Sequence, residues 1–247
     1  MKQYIIILFF LSSIILGCKK PEDRKCWKSN GDLNTIVREV NSEIKNIHAY
    51  DKIDIRVIED ENKSKIEIEG PENLLNFIST EISSNILTIK DKNNCSFLRK
   101  NHKKIKVFIY TNSLTEFHNY GTGDININQT NTSLDFICEL ESSSNINITL
   151  QNSNLGVKLD GNENTNNINI YGQLSFLFID NIGYGLVDTR SASINDIYIV
   201  NHSTQKTYLK ALYNINGANY GTGNIYYNKD VINVNINSTN SGKLISY

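Results

Sequence analysis

No sign of charge is in excess in this sequence: 25 Lys and Arg stand against 26 Asp and Glu in 247 residues, a net charge of −1. That balance excludes a nucleic-acid binder held by a basic field, and equally a highly charged disordered chain. Among the four cysteines there is no Cys-x-x-Cys, which removes zinc ribbons and thioredoxin-like redox motifs. No P-loop, His-Glu-x-x-His, Gly-x-Ser-x-Gly or EF-hand pattern occurs, so no catalytic residue, metal ligand or cofactor is assigned. Pro, Met and Trp number only 2, 1 and 1. What stands in their place is 37 Asn and 36 Ile, a β-rich and turn-rich signature. An AT-rich genome would account for part of that excess, so it counts only where it is patterned. Charge is patterned too: residues 19–110 carry 33 charged side chains, whereas the longer stretch 111–247 carries 17.

The N-terminus has an apolar run from Ile5 to Leu16 broken only by Ser12 and Ser13. A membrane helix needs about 20 residues, so this run reads as the core of a signal peptide over 1–17. Ile15-Leu16-Gly17-Cys18 resembles a bacterial lipobox, with Cys18 as the lipidated residue. Residues 18–35 then form a charged tether. Several acyl chains on one Cys suffice for stable anchoring without a transmembrane span. Lys19 after the lipidated Cys favours the outer membrane, facing either the periplasm or the outside.

Cys26 and Cys95 lie in polar, turn-like surroundings of an oxidising compartment and are expected to pair. Closing a loop of about 70 residues would contribute roughly 4 kcal/mol on the chain-entropy model. Cys138 shares an alternating apolar face with Leu134, Phe136 and Leu140 and is expected to be a buried, inert thiol.

Over 36–110 apolar residues alternate with charged ones, as in Ile53, Ile55 and Val57 against Asp54 and Arg56, which predicts strands buried on one side. Pro71 followed by Leu74, Phe77 and Ile78 predicts one short helix near 71–79. The basic stretch Arg99 to Lys106 is either a solvated, edge-guarding loop, the favoured reading, or a contact for lipid or lipopolysaccharide phosphates. Over 111–247 a repeat takes over. Ile125/Ile127, Ile146/Ile148 and Ile168/Ile170 recur at steps of 21 and 22, flanked by Asn, with a second strand at a nearly constant offset. Such self-similarity predicts an all-β fold of the single-stranded β-helix or β-solenoid class. The rhythm slips between Gly183 and Gly217. Asn119-Tyr120-Gly121-Thr122-Gly123 returns unchanged at 219–223. Outward Asn can stack in amide ladders without the repulsion that stacked charges would suffer.

The ordered series Ile53-Asp54-Ile55-Arg56-Val57, Pro71-Glu72-Asn73-Leu74-Leu75, Ile86-Leu87-Thr88-Ile89-Lys90 and Tyr120-Gly121-Thr122-Gly123-Asp124 resembles the head GIN domain family. These bacterial envelope proteins of unknown function are labelled auto-transporter adhesins by analogy. The resemblance covers about 36–247 and implies a right-handed β-helix whose charged N-terminal strands are the opening coils. It transfers no catalytic residue.

His48, His102, His118 and His202 are far apart in sequence and read as surface or strand-edge residues rather than metal ligands. Asp180, Asp188, Asp196 and Arg190 would be the candidates for a polysaccharide lyase, but their spacing of eight should point them in different directions. Binding is the more credible chemistry. Asn119, Tyr120, Asn219, Tyr220 and Tyr226 are the candidate ligand face, for glycans by ring stacking and amide hydrogen bonds, or for surface proteins. The expected role is thus recognition or adhesion by a lipid-anchored envelope protein, with a self-associating spacer as the alternative and a lyase as a remote one.

Overall fold

The computed structural model describes residues 30–60, 64–93, 104–130, 133–139, 142–161 and 165–247. The signal peptide, Cys18, the Cys26–Cys95 pair and the basic stretch up to Lys103 lie outside the described residues. In chain order come β1 (Leu33–Glu39), β2 (Asn46–Ala49), β3 (Asp54–Ile58), β4 (Lys65–Pro71), a one-turn helix α1 (Glu72–Leu75), β5 (Ile78–Ser83), β6 (Ile86–Asp91) and β7 (Lys106–Tyr110). Then follow β8 (Glu116–Asn119), β9 (Ile125–Thr130), β10 (Leu134–Cys138), β11 (Asn145–Leu159), β12 (Asn167–Asn181) and β13 (Leu186–Asp188). The chain ends with β14 (Ala192–Asn201), β15 (Thr207–Leu209), β16 (Asn214–Asn219), β17 (Ile225–Tyr227), β18 (Asn233–Ser238) and β19 (Leu244–Ser246). Strand makes up 60% and helix 2%, so the fold is all-β, a solenoid of about 6 turns.

Each coil contributes one strand to each of two parallel ladders. The first ladder runs β6, β2, β8, β10, the end of β11, the end of β12, β14, β16 and β18. The second runs β7, β3, β9, the starts of β11 and β12, β13, β15, β17 and β19. Register places like on like: Ile55, Ile125, Ile146, Ile168 and Val187 form one interior column. Phe117 stacks on Phe136 in another, ring centroids 5.2 Å apart. Cys138 is buried on the same face as Leu134 and Phe136, as alternation required.

Coils do not stack in sequence order at the N-terminal end. β3 lies between β7 and β9, and β2 between β6 and β8, so the coil at 86–110 sits outside the first one. Antiparallel strands then close that end: β5 on β6, and β4 on β7 with β1 beyond it. Such pairing covers the parallel edge that would otherwise template aggregation. β1 starts at Leu33, three residues before the expected domain boundary. The helix near 71–79 is a single turn, because Leu74 and Leu75 fill the core and Ile78 already belongs to β5.

The apparent slip between Gly183 and Gly217 is not a break. Asn181, Asn201 and Asn219 stay in register, and coils only shorten, from 22 residues between Asn147 and Asn169 to 18 between Asn201 and Asn219. The repeated Asn-Tyr-Gly-Thr-Gly occupies the same corner five coils apart. There a Cβ on Gly123 would collide with the carbonyl of Ile53, and one on Gly223 with that of Gln205. Only glycine lets the coils approach so closely.

Phe136→Ala should lower unfolding free energy by about 3–5 kcal/mol in urea titration, because the stack with Phe117 leaves a cavity that the rungs cannot close.

Candidate ligand face on the first sheet

Residues whose neighbours in sequence face the core project outward, and parallel register gathers them into files along the solenoid axis. His48 pairs with His118 across β2 and β8, so residues seventy apart in sequence meet with ring centroids 4.7 Å apart. Beside them Tyr50 and Tyr120 stack at 4.4 Å and 2°, and the Lys90 ammonium caps Tyr50 at 4.2 Å. His118 sits between two carboxylates: Nδ1 lies 2.8 Å from Glu139, and Nε2 contacts Glu116. Asn46 Nδ2 donates to the other oxygen of Glu116 at 2.9 Å.

Burial pulls the His118 imidazole down, but the hydrogen bonds to Glu139 and Glu116 outweigh it and hold its pKa above the ordinary value. His48, with burial against it and the His118 charge beside it, is held below. Burial, helped by the charge of Glu139, pushes the Tyr120 phenol up to about 12. A signal for this cluster was present in the sequence. Ile47-His48-Ala49-Tyr50 and Phe117-His118-Asn119-Tyr120 share one pattern, visible only if the coils at 46 and 116 are known to touch.

Farther along the same face one file reads Glu116, Asp135, Gly156, Phe178, Tyr198. Tyr198 stacks on Phe178 with centroids 6.1 Å apart at 14°. On its other side Phe178 has only Gly156 as register neighbour, so that side of the ring is uncovered. It forms one wall of a cleft of about 270 Å³ whose opposite wall is Asp135 and Glu116, with Ile137 and Lys158 alongside. A Cβ on Gly156 would run into the Asp135 carboxylate. Phe178 is 37% exposed and Tyr198 43%.

The residues expected to form a ligand face are placed differently from one another. Asn119 and Asn219 are 1% and 0% exposed, and are corrected to interior corner residues. Their Oδ1 atoms accept the backbone N–H of Gly121 at 3.1 Å and Gly221 at 3.3 Å, and Asn201 donates to Asn219 at 2.9 Å. Tyr120, Tyr220 and Tyr226 point outward, but in ladders: Tyr220 on His202 at 4.9 Å and Tyr226 on Tyr208 at 5.0 Å. Stacking covers one face of each ring. The aspartates do not converge. Asp188 is bound by Arg190, Asp196 accepts from Asn214, and Asp180 lies on the first sheet at another strand position. No group of metal-ligating side chains is found among the described residues. Two larger hollows, of about 1030 Å³ by Glu39 and Asp60 and about 540 Å³ by Asp51 and Tyr120, border residues outside the described ones.

Residues 44–230 match the family described as "Putative auto-transporter adhesin, head GIN domain". The chain belongs to the head GIN domain family. Membership places this GIN protein among adhesin-like proteins of the cell surface or envelope. Its fold is similar to a crystal structure of a "putative adhesin" from Bacteroides fragilis, at TM-score 0.70 and 19% identity over 87% of this chain and 97% of that one. A second "putative adhesin", from Parabacteroides merdae, aligns at TM-score 0.57 and 19% identity over 89% and 98%. A "Putative lipid binding protein" from Parabacteroides distasonis aligns at 0.52 and 16% over 87% and 97%. At such identities these structures share the GIN fold and nothing finer. No curated protein matches the chain.

The two histidines of the GIN face carry opposite pH signs. His118, raised when folded, contributes stability that is complete below about 6.5 and is lost as pH rises through its folded value. His48, lowered when folded, costs stability as pH falls below about 6.5 toward its folded value. In an imidazole NMR titration His118 should titrate above 6.5 and His48 below it. Glu139→Gln should bring His118 down and lower the melting temperature more at about pH 6 than at about pH 9.

Proposed function

We propose that this protein is a lipid-anchored envelope adhesin that recognises glycans on the outward face of its first sheet, with one sugar ring seated between Phe178 and the Asp135 carboxylate. The observation that carries the reading is the uncovered side of Phe178 opposite the Asp135 and Glu116 carboxylates. A pyranose has a C–H face that packs on an aromatic ring and hydroxyls that donate to carboxylates, and the cleft has both partners on opposite walls. Its volume, about 270 Å³, suits one ring rather than a chain. Lys158, held by Asp160 at 2.9 Å, adds a donor at the rim. Anchoring through Cys18 would display this face from the membrane on the tether 18–35.

On a glycan array the parent should bind at least one neutral pyranose-bearing glycan, and Phe178→Ala should weaken that binding about tenfold while the variant still unfolds in one cooperative transition. An array with no binder sinks the reading, as does full binding by the variant. Cys18→Ser should move the protein from the detergent phase to the aqueous phase on Triton X-114 partition, and retention in detergent removes the anchor.

A further inference from the structure

The stretch 111–247 holds 6 basic and 11 acidic residues, yet five of the six basic ones, Arg190, Lys206, Lys210, Lys229 and Lys243, gather at one place. They lie on or beside β13, β15, β17 and β19, on the second sheet and away from the Gly156 cleft. Lys206 and Lys243 precede β15 and β19 and are exposed. Lys210 follows β15, and its Nζ reaches the Arg190 carbonyl at 3.4 Å. Between these cations Tyr208 and Tyr226 stack at 5.0 Å, and the Arg190 guanidinium lies over Tyr208 at 4.1 Å. The acids on these strands and turns are Asp188, bound by Arg190 through both oxygens, and Asp230. At about 4.8 Å per rung and about 3.3 Å per residue, the frame measures roughly 10 Å between Lys206 and Lys243 and roughly 13 Å between Lys206 and Lys210.

We propose that this frame is a second ligand site, for a linear acidic polysaccharide whose anionic groups meet Arg190, Lys206, Lys210 and Lys243. Sugar hydroxyls would meet the phenol edges of Tyr208 and Tyr226. The cations are sparse, about 10 Å apart along the axis, which matches one anion per one or two sugar residues. Duplex DNA presents a charge every ~1.7 Å and an anionic membrane presents a plane of them. Both would meet the net negative remainder of the chain, whereas a single narrow strand meets only the frame.

The test uses the purified full-length protein with polygalacturonate and chondroitin sulfate as probes and dextran as the neutral control, titrated at several NaCl concentrations. Both acidic polymers should bind at low salt, dextran should not, and affinity should fall steeply with salt. Lys206→Gln with Lys243→Gln, both exposed and outside the core, should weaken binding about tenfold and flatten the salt dependence. Phe178→Ala should leave it unchanged, which separates this site from the neutral-glycan cleft. Absence of binding to either polymer, equal binding by the double variant, or tighter binding to duplex DNA, or by the Cys18→Ser protein to phosphatidylglycerol vesicles, would overturn the proposal.

Discussion

In-register stacking of coils governs this molecule. Parallel strands about 4.8 Å apart place every side chain directly above and below its counterparts, so whatever occupies one rung must tolerate itself on the next. Isoleucine does so in the interior, where Ile125, Ile146 and Ile168 form a column. Asparagine does so outside, because an amide is donor and acceptor at once. Asn147 donates to Asn126 at 3.0 Å, Asn169 to Asn147 at 3.3 Å and Asn233 to Asn214 at 2.9 Å. A lysine or glutamate in the same place would face its own charge, and the chain accordingly carries few of them after residue 110.

The same constraint shapes what the surface can recognise. A stacked tyrosine ladder looks like a sugar platform from sequence, yet its rings lie against one another. A ring face becomes available where a stack ends, as beside Phe178, whose next rung holds only Gly156. Charge survives on the solenoid in several arrangements, the like-charged neighbours Glu116 and Asp135 among them. Opposite charges can alternate between neighbouring rungs, as Glu139 does with His118, or like charges can be separated by a neutral rung, as Asn224 separates Lys206 from Lys243. The candidate sites are therefore departures from the repeat rather than expressions of it.

The N-terminal cap answers the difficulty that a repeating ladder creates for itself. A parallel edge left open would invite further pairing, and the antiparallel strands β4, β1 and β5 end the ladder there. Their outer faces carry charge, with Lys106 on Glu69 across two strands and Lys65 on Glu67 along β4. No repeat is needed where antiparallel strands of unlike sequence pair, so unlike charges can be set opposite each other.

Sequence alone determined the period, the strand class, the inside and outside of most coils and the burial of Cys138, because alternation and a step near 21 are local and leave few other ways to bury so much isoleucine. It also made the outward amide ladders legible. The order of the first coils, the burial of Asn119 and Asn219, the meeting of His48 with His118 and the frame of lysines around Tyr208 were decided only by the tertiary structure. Each depends on which rung lies next to which, and on coils that vary between 18 and 22 residues. A pattern in sequence specifies that a residue points outward, but its neighbours across the ladder are set by stacking, and the chemistry of this surface belongs to those neighbours.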